Sequence, residues 1–473
     1  MRFRLGYIAL ALTAAFAAAT SCDSVQHCDS SIPYDIQDGK IVFQVPPRVD
    51  GQKSVIGLTT EPMEVVRVGF IGLGMRGPGA VERFTHIEGT EIKALCDLYP
   101  ERAAAAQKIL EKAGRPHADE YSGEEGWKEL CQRDDIDLVY IVTPWQKHVE
   151  MAVYAMEQGK HVAIEVPAAT SLAECWELVN TAERTQRHCM MLENCVYDFF
   201  EMTALNMAQQ GLFGEVLHGA GGYIHNLEPY WDEYQGNWRL DFNQDHRGDV
   251  YATHGFGPVC QAMNIHRGDK LETLVAFDTK SVNGLKLVQD KMGLDECANG
   301  DYTITLLSTA NGKMIEIHHN VMTPRPYDRK YQLTGTEGFA NKYPIEGFAF
   351  EPENISSDEV PDHEDLSSHS FVPEAARKAL MEKYMHPIHR EVGEIAKKVG
   401  GHGGMDFVMD YRLVYCLRNG LPLDMDVYDA AEWSCVGELG AVSMFHGNMP
   451  VEVPDFTRGD WDKTDGFHFA YKK

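Results

Sequence analysis

The chain has 473 residues, which is enough for two or three domains that each bury a sizeable hydrophobic core. Its 43 lysines and arginines stand against 71 aspartates and glutamates. The resulting formal charge of −28 excludes nucleic acid as a partner, because most of the surface repels a polyanion.

The first 22 residues have the pattern of an export signal. A basic start with Arg2 and Arg4 precedes a short alanine-rich stretch that is poorly suited to span a membrane. Ala19-Thr-Ser-Cys22 resembles a bacterial lipobox, which implies cleavage before Cys22 and lipidation of that cysteine. The alternative is an ordinary signal peptide with a cysteine near its cut. We expect an exported lipoprotein, on the periplasmic face or at the cell surface of a bacterium, that contacts the membrane only through this anchor.

Residues 23–63 are polar and rich in turns, which predicts a tether and an N-terminal arm lying on the first domain. Residues 64–195 then alternate between strand patterns and helix patterns. This alternation indicates a doubly wound parallel sheet of the Rossmann type. Strands are predicted at 65–71, 91–96, 136–143, 161–165 and 188–193. Helices are predicted at 79–85, 100–113, 124–133, 149–158 and 172–185.

The first predicted strand ends in a glycine-rich turn that is typical of dinucleotide-binding proteins. Gly72, Gly74 and Gly77 form a Gly-x-Gly-x-x-Gly pattern, which permits a tight turn and a close approach of backbone N–H groups to a pyrophosphate. Asp97 ends the next strand about 20 residues later, where a carboxylate binds ribose hydroxyls and repels a 2′-phosphate. This spacing predicts NAD as the cofactor. The alternative is a glycine-rich turn that binds no nucleotide.

Three further strand ends carry polar or aromatic residues. They are Pro144-Trp-Gln-Lys-His148, Glu165-Val166-Pro167 and Glu193-Asn194. Ligands of doubly wound sheets bind beyond the carboxyl ends of the strands, so these segments are predicted to face the cofactor.

Residues 196–473 have a different character and predict an α+β domain. Alternating segments at 216–223, 273–278, 302–309 and 313–318 indicate antiparallel strands of a large, mostly antiparallel sheet. Helices are predicted at 373–384, 389–399, 406–418 and 430–444. The fold class is therefore α/β, with a Rossmann sheet followed by an α+β domain.

The cysteines show no metal-binding pattern. Beyond Cys22 and Cys28, the remaining cysteines form no C-x-x-C pair and no Cys/His cluster with zinc spacing. We predict no metal site and buried free thiols, although export would permit a disulfide.

The chain departs from ordinary sugar dehydrogenases of the Gfo/Idh/MocA type at two positions. Where those enzymes carry Glu-Lys-Pro, this chain has Val166 in place of the lysine. Those enzymes also show an aspartate four residues before a histidine, whereas Val250 stands at that spacing from His254. Two catalytic positions of a simple dehydrogenase therefore look empty, while the nucleotide-binding pattern is intact.

From about residue 65 to 465, the chain resembles glycoside hydrolase family 109, the NAD-dependent α-N-acetylgalactosaminidases. The resemblance rests on Gly72-Leu-Gly-Met-Arg-Gly77, Thr143-Pro-Trp-Gln-Lys-His148, Glu165-Val-Pro-Ala-Ala169, Tyr223-Ile-His-Asn226, Trp238-Arg239, Tyr251-Ala-Thr-His-Gly-Phe-Gly-Pro258, Arg325-Pro-Tyr327 and Gly400-Gly-His-Gly-Gly404. It implies a glycosidase acting on terminal N-acetylgalactosamine. A homo-oligomer is compatible with the sequence.

The resemblance also implies roles for individual residues. NAD would be bound by Gly72, Gly74, Met75, Arg76, Gly77, Asp97, Trp145, Gln146, Lys147, His148, Glu165, Val166, Asn194 and Tyr251. The sugar would be bound by Tyr223, Arg239, Tyr251, Ala252, Thr253, His254 and Tyr327. Catalysis would use His402, Tyr223 and His254. Lys147 and Ala252 depart from the family, which has an aromatic residue and a proline there.

The residues themselves leave alternatives open. Tyrosine and arginine on loops suit sugar binding, but Tyr223 could be a core tyrosine with a satisfied hydroxyl. Trp145 could be a hydrophobic cover over the sheet edge, and His148 could be a surface histidine.

The mechanism that the resemblance implies has no net redox change. Hydride leaves C3 of the sugar, the proton on C2 is lost, the C1 substituent is eliminated, water adds, and hydride returns. Two rival classes are a sugar dehydrogenase, which would accumulate NADH, and a non-catalytic sugar-binding lipoprotein.

Four glycines around His402 predict a mobile loop that closes over the sugar and brings an imidazole to the glycosidic oxygen. The family resemblance likewise implies a general acid/base at this position. The alternative is a glycine-rich helix end with a solvent-facing histidine.

Overall fold

The computed structural model describes residues 30–361 and 363–472. The export signal, Cys22 and Cys28 lie outside the described residues, so the lipoprotein assignment stays a prediction. Within the described ranges, no helix combines the length and the apolar character needed to cross a membrane.

The N-terminal arm begins with a β-hairpin. Strands β1 (Tyr34–Gln37) and β2 (Lys40–Phe43) pair antiparallel, and β2 also pairs with a strand near the C-terminus. The arm then crosses the first domain, where Arg48 Nε donates to Glu183 Oε1 at 2.9 Å. The arm thus contacts the first domain through Arg48, whereas its hairpin extends the sheet of the second domain.

The first domain is built on a six-stranded parallel sheet in the order β5-β4-β3-β6-β7-β8. Its strands are β3 (Val66–Ile71), β4 (Thr90–Asp97), β5 (Asp119–Ser122), β6 (Leu138–Ile141), β7 (His161–Ile164) and β8 (Cys189–Met191). The sequence missed β5, because this edge strand is short, polar and largely exposed and so lacks an apolar pattern.

Five helices accompany this sheet. They are α1 (Gly77–Thr85), α2 (Pro100–Lys112), α3 (Gly126–Cys131), α4 (His148–Glu157) and α5 (Leu172–Thr185). The central strands β6 and β7 are buried throughout, which is expected when helices cover both faces of a parallel sheet.

The second sheet has ten strands in the order β1-β2-β16-β10-β11-β12-β9-β13-β14-β15. Its further strands are β9 (Val216–Ile224), β10 (Leu271–Asp278), β11 (Thr303–Thr309), β12 (Met314–Asn320), β13 (Gln332–Gly335), β14 (Gly338–Asn341), β15 (Gly347–Phe350) and β16 (Val451–Glu452). The sheet is mostly antiparallel, which confirms the predicted fold class. The expectation of antiparallel pairing was wrong for one neighbour of β9, since β9 runs parallel to β12.

The remaining helices are α6 (Phe199–Gln209), α7 (Trp238–Asp245), α8 (Thr253–Ala262), α9 (Asn283–Met292), α10 (Glu374–Lys383), α11 (Pro387–Val399), α12 (Met405–Asn419) and α13 (Val427–Phe445). The sequence missed α6 to α9. Helix α8 contains two glycines and Pro258, which are poor helix formers. Tertiary contact explains one glycine, because a Cβ on Gly255 would lie 1.8 Å from the backbone nitrogen of Gly222 in β9.

The last helices of the chain return to the first domain. Asp410 of α12 accepts from Arg83 Nε of α1 at 2.7 Å and from the Tyr140 hydroxyl of β6 at 2.8 Å. Burial raises the pKa of Asp410 to about 6, against the opposing charge of Arg83. Helix α12 therefore forms part of the wall beside the glycine-rich turn, although it lies more than 300 residues away in sequence.

Candidate active site

The turn between β3 and α1 has the shape that a dinucleotide pyrophosphate requires. Gly72 has a φ of +94°, and a Cβ there would lie 2.4 Å from the Val142 carbonyl oxygen. A Cβ on Gly77 would lie 2.1 Å from the Gly72 carbonyl oxygen, so side chains are excluded at both positions. Within the described residues, no side chain caps the start of α1, which leaves its N–H groups for phosphate oxygens.

Asp97 lies at the carboxyl end of β4, beside this turn. Its Oδ2 accepts from the backbone nitrogen of Leu73 at 2.7 Å, and its Oδ1 accepts from that of Tyr99 at 3.0 Å. These two bonds hold the carboxylate at the place where an adenosine ribose lies in this fold. The residues present therefore fit NAD.

The segment after β6 forms a short 3-10 turn at Trp145–Lys147. Trp145 is buried and stacks on Tyr251 of the second domain, with ring centroids 5.5 Å apart. It also meets Trp238 edge to face at 5.2 Å. Trp145 is thus an aromatic contact between the domains, and its predicted contact with NAD stays a prediction. Lys147 is exposed and pairs with Glu150 at 3.1 Å.

His148 is fully buried, so the alternative that it is a surface histidine is wrong. Its ring nitrogens lie 2.8 Å from the carbonyl oxygens of Pro167 and Thr143. The ring therefore ties together two strand-end loops. Its predicted contact with NAD stays a prediction.

Charged and amide groups converge between the glycine turn and α12. Arg76 lies 3.2 Å from Asp406 and 3.7 Å from Glu165. Burial works against the charge of Arg76, but these two carboxylates outweigh it and raise its pKa. Asn194 donates to Asp406 Oδ1 at 2.5 Å. Arg76, Glu165 and Asn194 are thus brought together, and their predicted contacts with NAD stay predictions.

Other predicted cofactor residues differ in exposure. Met75 is half-exposed at the turn, Gln146 is exposed beside Trp145, and Val166 is buried after β7. A valine side chain can neither donate nor accept a proton, so the catalytic lysine of ordinary dehydrogenases has no substitute at this position.

Helix α8 and the end of β8 supply a hydrogen-bonded His–Glu pair. His254 Nδ1 lies 2.8 Å from Oε1 of Glu193, which is fully buried. His254 Nε2 lies 3.3 Å from the hydroxyl of Tyr251. Burial opposes ionisation of Glu193, but His254 lowers the pKa of Glu193 below its usual value. The three side chains form a chain along which a proton can move.

Tyr223, at the end of β9, lies against this chain of residues. Its ring centroid is 4.6 Å from that of Tyr251 and 5.4 Å from that of His254. Its hydroxyl lies 2.9 Å from Nδ1 of His225. Tyr223 therefore packs like a core tyrosine with a satisfied hydroxyl, as the alternative has it. In the structure, however, its phenol lies among polar groups. Burial raises the pKa of Tyr223 to about 12, so the phenol keeps its proton at neutral pH.

The sequence suggested that Arg239 lies on a loop, but the structure places it in helix α7. Its guanidinium is buried, donates to the Tyr234 hydroxyl at 2.7 Å and lies 4.7 Å from the Tyr251 ring centroid. It also lies 5.8 Å from the Tyr223 ring centroid. A buried cation inside an aromatic group can bind hydroxyl or carbonyl oxygens of a sugar.

Tyr327 lies beside His225, whose ring also contacts that of Tyr223. Its ring lies 5.0 Å from that of His225, and its hydroxyl accepts from Arg329 Nη1 at 3.2 Å. Arg329 is itself held by Asp198 at 3.0 Å and Glu201 at 2.8 Å.

Ala252 and Thr253 are buried at the start of α8. Ala252 lines a separate cavity of about 340 Å³ behind the site. Both residues are positioned to shape the backbone between Tyr251 and His254, and their predicted contacts with the sugar stay predictions.

The glycine-rich segment around His402 is a compact turn in the structure. His402 begins a 3-10 turn with a φ of +47°, and α11 ends just before the segment. A Cβ on Gly401 would lie 2.7 Å from Cβ of Asp406, so close packing explains that glycine. A Cβ on Gly400 or Gly403 would meet nothing within 4 Å, so packing accounts for only part of the glycine-rich segment. Whether the segment moves stays a prediction.

The His402 side chain is half-exposed and lies beside Arg76 and Asn194, which are predicted to bind the cofactor. Its Nδ1 lies 3.0 Å from Asp406 Oδ2 and 3.3 Å from Asn194 Nδ2. Burial opposes ionisation of Asp406, but the hydrogen bond with His402 and the charge of Arg76 hold the pKa of Asp406 well below its usual range. Because Nδ1 points to Asp406, His402 can act on a ligand through Nε2.

Sequence reasoning missed several residues of the site. Two signals were available, because Glu193 and His225 lie within segments that the sequence analysis singled out without giving them a role, and Asp406 follows His402 at helical i, i+4 spacing. Tyr234 and Arg329 lie in segments without any motif, and only their contacts place them here.

Glu193, Cys195 and His254 could also hold a metal ion, since their ligand atoms lie within 4.8 Å of one another. Burial raises the pKa of the Cys195 thiol well above its usual value, which favours the thiol over the metal-binding thiolate. The prediction that the protein has no metal site stays a prediction. The cysteines within the described ranges are free thiols.

Comparisons with known proteins agree with this geometry. A family model described as oxidoreductase family, NAD-binding Rossmann fold, matches residues 66–193, and one described as glycosyl hydrolase 109, C-terminal domain, matches residues 197–463. The structure of levoglucosan dehydrogenase in complex with NADH has a TM-score of 0.61 at 18% identity and covers 82% of this chain and 99% of that chain. An oxidoreductase domain protein from Kribbella flavida has a TM-score of 0.60 at 19% identity and covers 83% of this chain and 100% of that chain. At this identity the likeness concerns the fold.

The fold and the cleft thus define an NAD-binding protein of the Gfo/Idh/MocA oxidoreductase fold, with NAD as its cofactor. Glycosyl hydrolase family 109 protein 1 of Phocaeicola vulgatus is 65% identical over 430 residues, covering 90% of this chain and 91% of that protein. The protein of the same name from Bacteroides thetaiotaomicron is 63% identical over 434 residues, covering 91% and 93%. The chain belongs to glycosyl hydrolase family 109 and is a glycoside hydrolase. The predictions of fold, cofactor and family are confirmed.

Proposed function

We propose that the protein hydrolyses terminal α-N-acetylgalactosaminyl residues with no net redox change. The observation that carries this proposal is the convergence of Tyr223, Tyr251 and His254 beside an intact dinucleotide cleft. Bound NAD would supply reversible hydride acceptance for oxidation and later reduction of C3 of the sugar.

The Glu193–His254 pair would take the proton of the C3 hydroxyl as hydride leaves C3. Glu193 accepts from Nδ1–H of His254, which leaves Nε2 as the basic nitrogen. Because Nε2 lies 3.3 Å from the Tyr251 hydroxyl, the proton would reach His254 through Tyr251. Arg239 would hold the sugar oxygen in place from beneath these rings.

Tyr223 and His225 would assist removal of the proton from C2, which the ketone at C3 makes acidic. Burial lowers the pKa of His225 to about 4, so its ring is neutral and its Nδ1 can accept a hydrogen bond from the Tyr223 hydroxyl. Loss of the C2 proton expels the C1 substituent. Water would then add at C1, the proton would return to C2, and C3 would be reduced again.

His402 would protonate the departing C1 oxygen through Nε2, with Asp406 stabilising the charged ring at Nδ1. A histidine side chain can serve as a general acid. The contact of His402 with Asn194 supports this role, because Asn194 is predicted to bind the cofactor. Val166 argues against the rival sugar dehydrogenase, which needs a proton-carrying side chain at that position.

We further propose that the protein is exported and anchored through Cys22. This rests on the basic start, the apolar stretch and the Ala19-Thr-Ser-Cys22 pattern. A redox-neutral cycle suits this location, since a retained cofactor needs no external supply of NAD.

The test is hydrolysis of p-nitrophenyl α-N-acetylgalactosaminide in deuterated water without added NAD. We expect turnover, deuterium at C2 of the released sugar, and close to one NAD per chain after denaturation. Accumulating NADH would instead indicate a dehydrogenase. Sugar binding without turnover would indicate a binding protein, and turnover by NAD-free protein would indicate direct displacement at C1.

A further inference from the structure

We propose that Gln235, which belongs to the second domain, retains the cofactor by closing the adenosine end of the cleft against Tyr99 and Arg102. The inference requires that NAD occupies the cleft, and it holds whichever sugar the enzyme cleaves. It adds to the cofactor site a residue from outside the Rossmann domain.

The contacts of Gln235 bridge the two domains. Its Nε2 donates to the Tyr99 hydroxyl at 3.1 Å, and its Oε1 accepts from Nη2 of Arg102. Tyr99 and Arg102 lie at the start of α2, directly after the strand that ends in Asp97. The amide of Gln235 therefore bonds to two side chains at the start of α2.

These contacts lie over the ribose-binding carboxylate. Arg102 Nη1 lies 3.4 Å from Asp97 Oδ1, and the guanidinium carbon lies 4.9 Å from the Tyr99 ring centroid. The same Nη1 would lie 3.4 Å from a Cβ on Gly74 of the glycine-rich turn. Gln235 is thus one hydrogen-bonding partner away from the groups that hold ribose and pyrophosphate.

The backbone around Gln235 is held in a defined path. Residues 228–237, here called the bridge segment, form two 3-10 turns anchored by the buried ring of Trp231. Gly236 and Asn237 have φ values of +71° and +57°, and this left-handed pair turns the chain into α7. The side chain of Gln235 is consequently directed across the cleft by the turn that starts α7.

The residue before Gln235 contacts the sugar side of the site. The Tyr234 hydroxyl accepts from Arg239 Nη1 at 2.7 Å, and Arg239 lies against Tyr251. Consecutive residues of the bridge segment therefore bond to the substrate-binding arginine and to the adenosine end of the cofactor cleft.

The test measures the dissociation rate of NAD from the purified holoenzyme, by diluting it, filtering at intervals and assaying the dinucleotide that remains bound. We expect Gln235→Ala to release NAD about three- to tenfold faster, as befits the loss of surface hydrogen bonds. Gln244→Ala is the matched control, because Gln244 bonds to a carbonyl oxygen of Glu296 away from the cleft. Its release rate should equal that of the wild type.

Tyr99→Phe removes one acceptor of Gln235 and keeps the ring. Combined with Gln235→Ala, it should accelerate NAD release by less than the product of the single effects. Equal release rates in Gln235→Ala and wild type, or fully multiplicative effects in the double variant, would overturn the proposal. Wild-type protein that holds no NAD would instead overturn the proposed catalytic cycle.

Discussion

Replacing Glu193 by Gln should disable the His254 base while leaving the fold intact. The carboxylate accepts from His254 Nδ1 at 2.8 Å inside a fully buried environment, so it fixes the tautomer with a basic Nε2. Glutamine has nearly the same shape, but its NH2 group facing Nδ1 would favour the tautomer that is protonated at Nε2. That tautomer cannot accept from Tyr251.

The size of the effect follows from the hydrogen bond that is lost. A hydrogen bond to a charged group contributes about 1.5–3 kcal/mol, and 1.36 kcal/mol corresponds to a tenfold change in rate. We therefore expect kcat to fall about 10- to 150-fold. The NAD content should remain unchanged, because Glu193 contacts the base and not the glycine-rich turn.

The assay is hydrolysis of the nitrophenyl glycoside with the NAD content measured in the same preparation. Glu183→Gln is the matched control, since Glu183 is also fully buried but bonds to Arg48 and Tyr428 far from the cleft. It should lower the melting temperature without lowering kcat. If Glu193→Gln keeps kcat within twofold of the wild type at full NAD content, the assigned role of the Glu193–His254 pair is refuted.

Three further predictions concern other parts of the chain. His402→Ala should lower turnover about a hundredfold or more for glycosides with poor leaving groups and less for nitrophenyl glycosides, at unchanged NAD content; equal, slight losses on both substrates would contradict its role as an acid. Burial raises the pKa of Asp249 to about 7, so the stability associated with its protonated form is lost as pH rises from about 4 through 7. Asp249→Asn should remove this loss, so the melting temperature of the variant minus that of the wild type should increase between pH 5 and 8. A difference that stays constant over this range would refute the prediction. Cys22→Ala should yield an uncleaved or soluble form, and unchanged fractionation with membranes would refute the anchor.

Much of the first domain could be predicted, because its elements carry local patterns. Strands β3, β4, β6, β7 and β8 are apolar runs, and the helices between them follow in regular alternation. The short strand β5 has exposed polar residues, and only its pairing with β4 defines it. Helix α8 was missed for a related reason, since its glycines disfavour a helix locally but permit the contact with β9.

The site was predictable in part. The resemblance pointed to Tyr223, Tyr251 and His254, and the structure brings their rings into contact. It did not indicate Glu193 as the partner of His254, because the two residues are 61 positions apart and their pairing depends on how α8 packs. The contact between Gln235 and Arg102 is likewise formed between segments with no shared motif.

The sequence by itself determined the features that depend on backbone conformation and short spacing. Gly72 and Gly77 specify the turn because no side chain fits there. The position of Asp97 could be predicted because Asp97 is the last residue of β4, next to this turn. Tertiary structure decided what each histidine does. His148 is buried between two carbonyl oxygens, His254 lies against a buried carboxylate, and His402 is half-exposed beside Asp406. The protonation of an imidazole depends on its burial and on the groups around it, and distant segments of the chain supply both.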